Sequence, residues 1–272
     1  MRLKFYRYLH QVTAPERTGL AWFDLVEFGL AAFGFLCYFI VRGGVVDDAG
    51  SALDHARWII DAQQALGIFV EPAVNQWVLE SALRVRFVNL VYFWLDFPLI
   101  VGIAVFLFIR SRRHYTMLRD ALLISGGIAL LMYWTFPVAP PRYLPEWGFV
   151  DTLAEFDNLS YQAQSMRPFV NPFAAVPSLH VGWSLILAIV IFDATRAFWA
   201  RAAVIAVLCA QIVSVVGTAN HFVFDAVVGA LVSIAGLAVA LWLQRGGYPG
   251  LRDWFQHRAT RIEQRRVRDT AR

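Results

Sequence analysis

Apolar residues run in six long stretches along the chain, at 20–41, 88–109, 121–138, 176–192, 202–217 and 222–243. A bilayer core takes about 20 apolar residues in a helix, and ~17 at the least. The six runs therefore predict six transmembrane helices in an all-α integral membrane domain over 20–243, flanked by polar tails at 1–19 and 244–272. Between the first two runs, segment 45–80 is polar for a membrane yet periodic for a helix. Leu53, Trp58, Ile59, Ala62, Leu66 and Phe69 recur at near-helical spacing, with Asp54, Arg57, Asp61 and Gln64 between them. That pattern predicts one or two amphipathic helices lying on the outer membrane face, interrupted near Gly67 and Pro72. The segment is expected to be structural and to carry no catalytic residue. No internal repeat and no low-complexity stretch is visible.

Composition agrees with lipid as the solvent. Charged residues make up 16% of the 272, and apolar ones 58%. A soluble domain is closer to ~25% charged, so a disordered chain is excluded and an ordinary cytosolic globule is not expected. Residues 1–19 are polar, and the first run is long and lacks a small-residue cleavage site, so no cleavable signal peptide is expected. Charge then sets the orientation. With the amino terminus inside, segments 1–19, 110–120, 193–201 and 244–272 hold eighteen of the 24 basic residues, and the outer segments hold six. That asymmetry predicts both termini in the cytoplasm of a multi-pass plasma-membrane protein. The basic tail 244–272 is expected to touch anionic lipid. A nucleic-acid partner is not expected, because the charges are spread over loops and tails instead of one face. Cys37 and Cys209 lie in apolar runs and read as small buried hydrophobes.

Ionisable groups inside spans are costly and mark functional candidates. Here they are Asp24, Glu27, Asp96, His180 and Asp225, with His221 at a span boundary. Asp24 and Glu27 fall in the first turns of a helix on the inner side, where its dipole and water accommodate them. Asp96 lies at the outer end of the second run, in place either to pair with an arginine of the site or to face the headgroups. His180 follows Pro177-Ser178-Leu179 at the outer end of the fourth run. His221 and Asp225 open the sixth; four residues apart, they share one helix face. A carboxylate so placed accepts the imidazole Nδ1–H and leaves the other nitrogen bare as a nucleophile. Two histidines and an aspartate at one depth form a candidate catalytic site.

These residues carry a resemblance. Pro177-Ser178-Leu179-His180 resembles the Pro-Ser-x-His motif of the type-2 phosphatidic acid phosphatase superfamily of membrane lipid phosphatases and phosphotransferases. Asn220-His221-Phe222-Val223-Phe224-Asp225 resembles its final His-x3-Asp motif. Phe136-Pro137-Val138-Ala139-Pro140-Pro141-Arg142 is similar to the proline-rich motif of the inositol phosphorylceramide synthase-like branch. Asn171-Pro172-Phe173-Ala174-Ala175-Val176 leads into the first motif as it does there. The resemblance covers about residues 85–243. Two features depart from it. The wider superfamily's Lys-x6-Arg-Pro is absent, and Val215 follows Ser214 where Ser-Arg is usual. Arg142 is the obvious substitute cation, with Arg167 a weaker one.

What the resemblance implies is a phosphohistidine route at the outer face. His221 is the expected nucleophile, Asp225 its orienting carboxylate and His180 the acid and base. Arg142, Ser178 and Asn220 are the expected phosphate binders. The implied substrate is a lipid phosphate, and the second acceptor is water or a lipid or sugar hydroxyl. The proline-rich segment is expected to form an extended loop holding Arg142 over the histidines. No metal ligand cluster is visible, so no metal or cofactor is expected. A transporter-like protein and a non-catalytic scaffold keeping the fold remain the alternatives.

Overall fold

A computed structural model describes residues 2–12, 22–44, 49–156 and 171–270. Among these the chain is helical throughout, apart from turns and one isolated parallel bridge between Val138 and Ala174. Helices α1 (Arg2–Val12), α2 (Trp22–Gly44), α3 (Ala49–Ala65) and α4 (Glu71–Leu79) come first. Then α5 (Ala82–Leu90) runs through a π-helical turn at Val91–Leu95 into α6 (Asp96–Arg110). α7 (Arg112–Thr135) follows at once, and the short α8 (Thr152–Phe156) lies in the next connection. α9 (Leu179–Ala194), α10 (Phe198–Gly217) and α11 (Val223–Trp242) complete the apolar set. α11 continues through a second π turn, Leu243–Gly247, into α12 (Tyr248–Thr270).

Each predicted apolar run contains a helix. Four are long and apolar enough to cross a membrane: Ala82–Arg110, Arg112–Thr135, Phe198–Gly217 and a window of Val223–Arg265. α9 is shorter, at 16 residues, because Ser178 is extended and serves as its N-cap position. Large apolar side chains on these helices point away from the protein. Ile109 is 78% exposed, Trp134 65% and Leu231 61%. Surfaces of this kind suit lipid and would drive association in water. The chain is a membrane protein.

The central packing is that of α11 against α7 and α9, and small residues permit it. A Cβ on Gly229 would lie 2.1 Å from the Ser178 carbonyl oxygen. One on Gly182 would lie 2.6 Å from the Gly229 carbonyl, and one on Gly236 2.9 Å from that of Ala121. Helices in lipid gain by such close backbone approach, since apolar burial alone distinguishes little between partners there. Here it draws the start of α9 onto the first turns of α11.

Three expectations are refined or changed. The buried face of α3 consists of Ala52, Ala56, Ile59, Ile60 and Gln63, while Trp58 and Leu66 are exposed. Asp24 falls in the first turn of α2 as expected, and both it and Glu27 are in addition gripped by side chains of α7. Arg112 grips Asp24 with two bonds of 2.7 and 3.0 Å, and Arg119 takes Glu27 at 2.5 Å and Asp120 at 2.7 Å. The Tyr248 hydroxyl donates to Asp120 at 2.6 Å, which ties α12 to the same network. Finally, 244–272 is helical over most of its length, as is the start of the chain. α12 packs on α1 through Arg7 and Glu263 at 2.7 Å and the Tyr6 and Trp254 rings at 5.8 Å.

Candidate active site

The chain entering α9 is shaped before the helix begins. Asn171 Oδ1 accepts the Phe173 N–H at 2.8 Å, closing a local turn. Val138 N–H then donates to Phe173 O at 2.9 Å, and Ala175 N–H returns to Val138 O at 3.2 Å. The Tyr133 hydroxyl holds the Pro177 carbonyl at 2.9 Å. Ser178 N–H donates to the Asp225 carbonyl at 3.0 Å, which joins the two motif-bearing segments directly. The Ser178 hydroxyl is fully buried and has no hydrogen-bond partner among the described residues.

The turn between α10 and α11 brings the second histidine. Asn220 N–H and His221 N–H both donate to Val215 O, at 3.2 and 3.0 Å. Ala219 adopts a left-handed φ of 56°, an uncommon conformation for a residue with a Cβ. His221 Nδ1 lies 2.9 Å from the Ala175 carbonyl oxygen and 3.3 Å from Asp225 Oδ2. A carbonyl oxygen only accepts, so Nδ1 carries the proton and Nε2 presents its lone pair. His221 is 5% exposed and Asp225 fully buried. The His180 and His221 rings stand 5.9 Å apart, tilted by 59°. Tyr92, from the π turn, stacks on His180 at 4.4 Å and lies 6.2 Å from His221.

Arg142 joins from the proline-rich segment. That segment forms two 3-10 turns, Pro141–Tyr143 and Pro145–Trp147, where an extended loop was expected. Prolines at their first positions preset the φ these turns need. Arg142 N–H donates to Ala219 O at 3.0 Å, which pins the segment to the α10–α11 turn. Its guanidinium donates to Asn220 Oδ1 and lies 3.5 Å from Asp151 Oδ2. Its carboxylate partner is therefore Asp151, where Asp96 had been a candidate. The side chain is only 13% exposed. Five of the predicted residues, His180, His221, Asp225, Ser178 and Asn220, thus meet at one end of the helix bundle, with Arg142 bound to Asn220. Arg167 lies outside the described residues.

Several neighbours had no place in the sequence expectations. Glu71 Oε1 accepts the Val223 N–H at 2.7 Å, and Gln63 Oε1 accepts the Phe224 N–H at 2.9 Å. Asn75 donates to Gly217 O at 2.8 Å and to Val150 O at 3.1 Å. It thereby joins the end of α10 to the segment after Arg142. Glu71 and Asn75 lie four apart in an otherwise mostly apolar helix, and that spacing was a usable signal. Tyr92 and the Ala175 carbonyl left none.

Fold and site together define a helical membrane protein with a paired-histidine centre at one end of its bundle. The sequence profile of the PAP2 superfamily matches residues 57–239, and the chain belongs to that superfamily. The phosphoinositol dihydroceramide synthase of Bacteroides thetaiotaomicron is 25% identical over 188 residues, covering 62% of this chain. The chain spans 60% of the length of that curated relative. No solved structure matches.

Proposed function

We propose that this protein is a lipid phosphatase or phospho-headgroup transferase that works through a phosphohistidine intermediate. His221 Nε2 attacks the phosphorus of a lipid phosphoester in line. His180, protonated at the outset, donates to the leaving oxygen and then takes the proton of the second acceptor. Asp225 orients the imidazole and offsets the charge it gains. Arg142 meets phosphate oxygens with a planar fork that Asn220 holds in place. Ser178 and the N–H groups opening α9 complete the anion site, as helix starts favour negative charge. Arg167 is a second candidate cation.

The observation that carries this proposal is the pair of acceptors at His221 Nδ1, 2.9 and 3.3 Å away, with His180 across from it. That arrangement prepares one ring nitrogen to attack and one nearby ring to move a proton. Water as second acceptor gives hydrolysis, and a lipid or sugar hydroxyl gives transfer. The relative named as a synthase supports transfer. The helix in each of six apolar runs and the eighteen-to-six charge asymmetry support six spans and cytoplasmic termini. The site then faces the extracytoplasmic side of the plasma membrane, and basic α12 meets anionic lipid on the inner side.

A purified-protein assay tests it, using radiolabelled phosphatidic acid, polyprenyl phosphate and phosphatidylinositol, with and without hydroxyl acceptors. Wild-type protein is expected to turn over at least one substrate. His221→Ala is expected to lose at least roughly 10³-fold in rate while still folding. Full turnover by that variant contradicts the proposal.

A further inference from the structure

A helix start leaves its first backbone N–H groups without partners inside the helix. Ser, Thr, Asp or Asn at the N-cap usually supplies the missing acceptor. α11 has Phe222 there, whose ring offers no oxygen. Its opening N–H groups are met one by one instead. Phe222 N–H donates to Asp225 Oδ2 at 2.8 Å. Val223 N–H goes to Glu71 Oε1 at 2.7 Å, and Phe224 N–H to Gln63 Oε1 at 2.9 Å. Gln63 Nε2 also donates to that same Glu71 oxygen at 2.7 Å, so the two side chains act as one unit. Gln63 is 1% exposed and Glu71 0%. Both come from α3 and α4, more than 140 residues before the helix they cap.

We infer that Gln63 and Glu71 are positioning residues for His221 and Asp225, capping α11 from outside it. The inference rests on the phosphohistidine proposal. His221 lies just before the first turn of α11 and Asp225 lies within it, so whatever fixes that turn fixes both. A buried carboxylate is well placed at a helix start, where the dipole is positive. If it is removed, the freed N–H groups have the Asp225 carboxylate as the acceptor on their own turn. Each bond Asp225 accepts from the backbone competes with its contact to His221 Nδ1. A buried N–H left unmade also carries its full desolvation cost. The external caps therefore keep the Val223 and Phe224 N–H groups off Asp225 and leave its carboxylate facing the imidazole.

The test compares Glu71→Ala, Glu71→Gln and Gln63→Met in detergent-solubilised full-length protein, each followed by thermal melting and steady-state kinetics. Gln63→Met keeps the length of the side chain and loses its oxygen, so it decides the matter if Glu71→Ala fails to fold. Gln63→Met and Glu71→Ala are expected to lower kcat by roughly 10²-fold, the scale of an ångström misplacement, with KM within about threefold. Glu71→Gln keeps the acceptor oxygen and is expected to stay within about threefold of wild-type kcat. Wild-type kcat in folded Gln63→Met, a loss confined to KM, or equal damage by Glu71→Gln and Glu71→Ala each overturns the inference. His221→Ala is run alongside. If it is inactive while Gln63→Met is normal, only the positioning role fails. If it retains turnover, the phosphohistidine proposal fails and takes this one with it.

Discussion

Two acceptors meet the Nδ1 of His221, and they contribute differently. The Ala175 carbonyl at 2.9 Å is neutral and belongs to the backbone, so no side-chain substitution removes it. Asp225 at 3.3 Å brings charge. In triads whose carboxylate alone sets the tautomer, replacing it by an amide costs about 10⁴-fold, largely through the wrong tautomer. Here the carbonyl keeps the proton on Nδ1. Asp225→Asn is therefore expected to lose nearer 10²-fold in kcat, with normal folding, since Asn Oδ1 still accepts the Phe222 N–H. A rapid-quench measurement of the chemical step checks this, and a loss of the full 10⁴-fold would show that the carbonyl does not hold the tautomer. The i, i+4 spacing of His221 and Asp225 made their pairing readable in the sequence. The Ala175 carbonyl was not readable, because a backbone acceptor can be supplied by any residue type. Tyr92 was hidden among other apolar residues of its run.

Helices α7, α9 and α11 meet through glycines, and this packing sets where the two histidines stand. Gly229 faces the Ser178 backbone so closely that a Cβ would sit 2.1 Å from its carbonyl oxygen. Gly229→Ala is expected to destabilise the protein by about 1–3 kcal/mol, the usual cost of overpacking. It should also lower activity, because the displaced backbone carries Ser178 and leads into His180. Gly127, on the exposed side of α7, has open space around it, so Gly127→Ala is the control and should melt at or above the wild-type temperature. Comparable melting of the two variants would contradict the packing account. Helix existence was legible in the six apolar runs and in 45–80 but not in the two polar tails, and which side of a helix faces inward was not legible. The buried face of α3 includes Gln63, and Trp58 points out. In lipid, apolarity no longer marks the interior, and buried polar groups mark it better: Gln63, Glu71, Asn75 and Gln211 are all 0–1% exposed. Buried polar residues were the signal that the hydrophobic periodicity of α3 and α4 obscured.

Across the whole molecule, the two ends of the bundle differ in chemistry. One end gathers the histidines, Asp225 and Arg142. The other holds the Asp24–Arg112 pair and the Glu27–Arg119–Asp120 cluster. In the proposed topology, which the loop charges support, the first end lies outside. Glu146, in the 3-10 turn that follows Arg142, and Glu263, on α12, both have half-exposed side chains. With Cys37 and Cys209 replaced, a membrane-impermeant maleimide is expected to label Glu146→Cys on intact cells, and Glu263→Cys only after permeabilisation. The reverse pattern would invert the topology. A covalent phosphohistidine on His221 is tested most directly by trapping it. Protein is incubated with a lipid substrate labelled at phosphorus, quenched and denatured. Label bound to protein, stable to alkali, released by acid and absent from His221→Ala, is the result expected. Wild-type turnover with no labelled protein under rapid quench, or label of the same stability retained in His221→Ala, would contradict it.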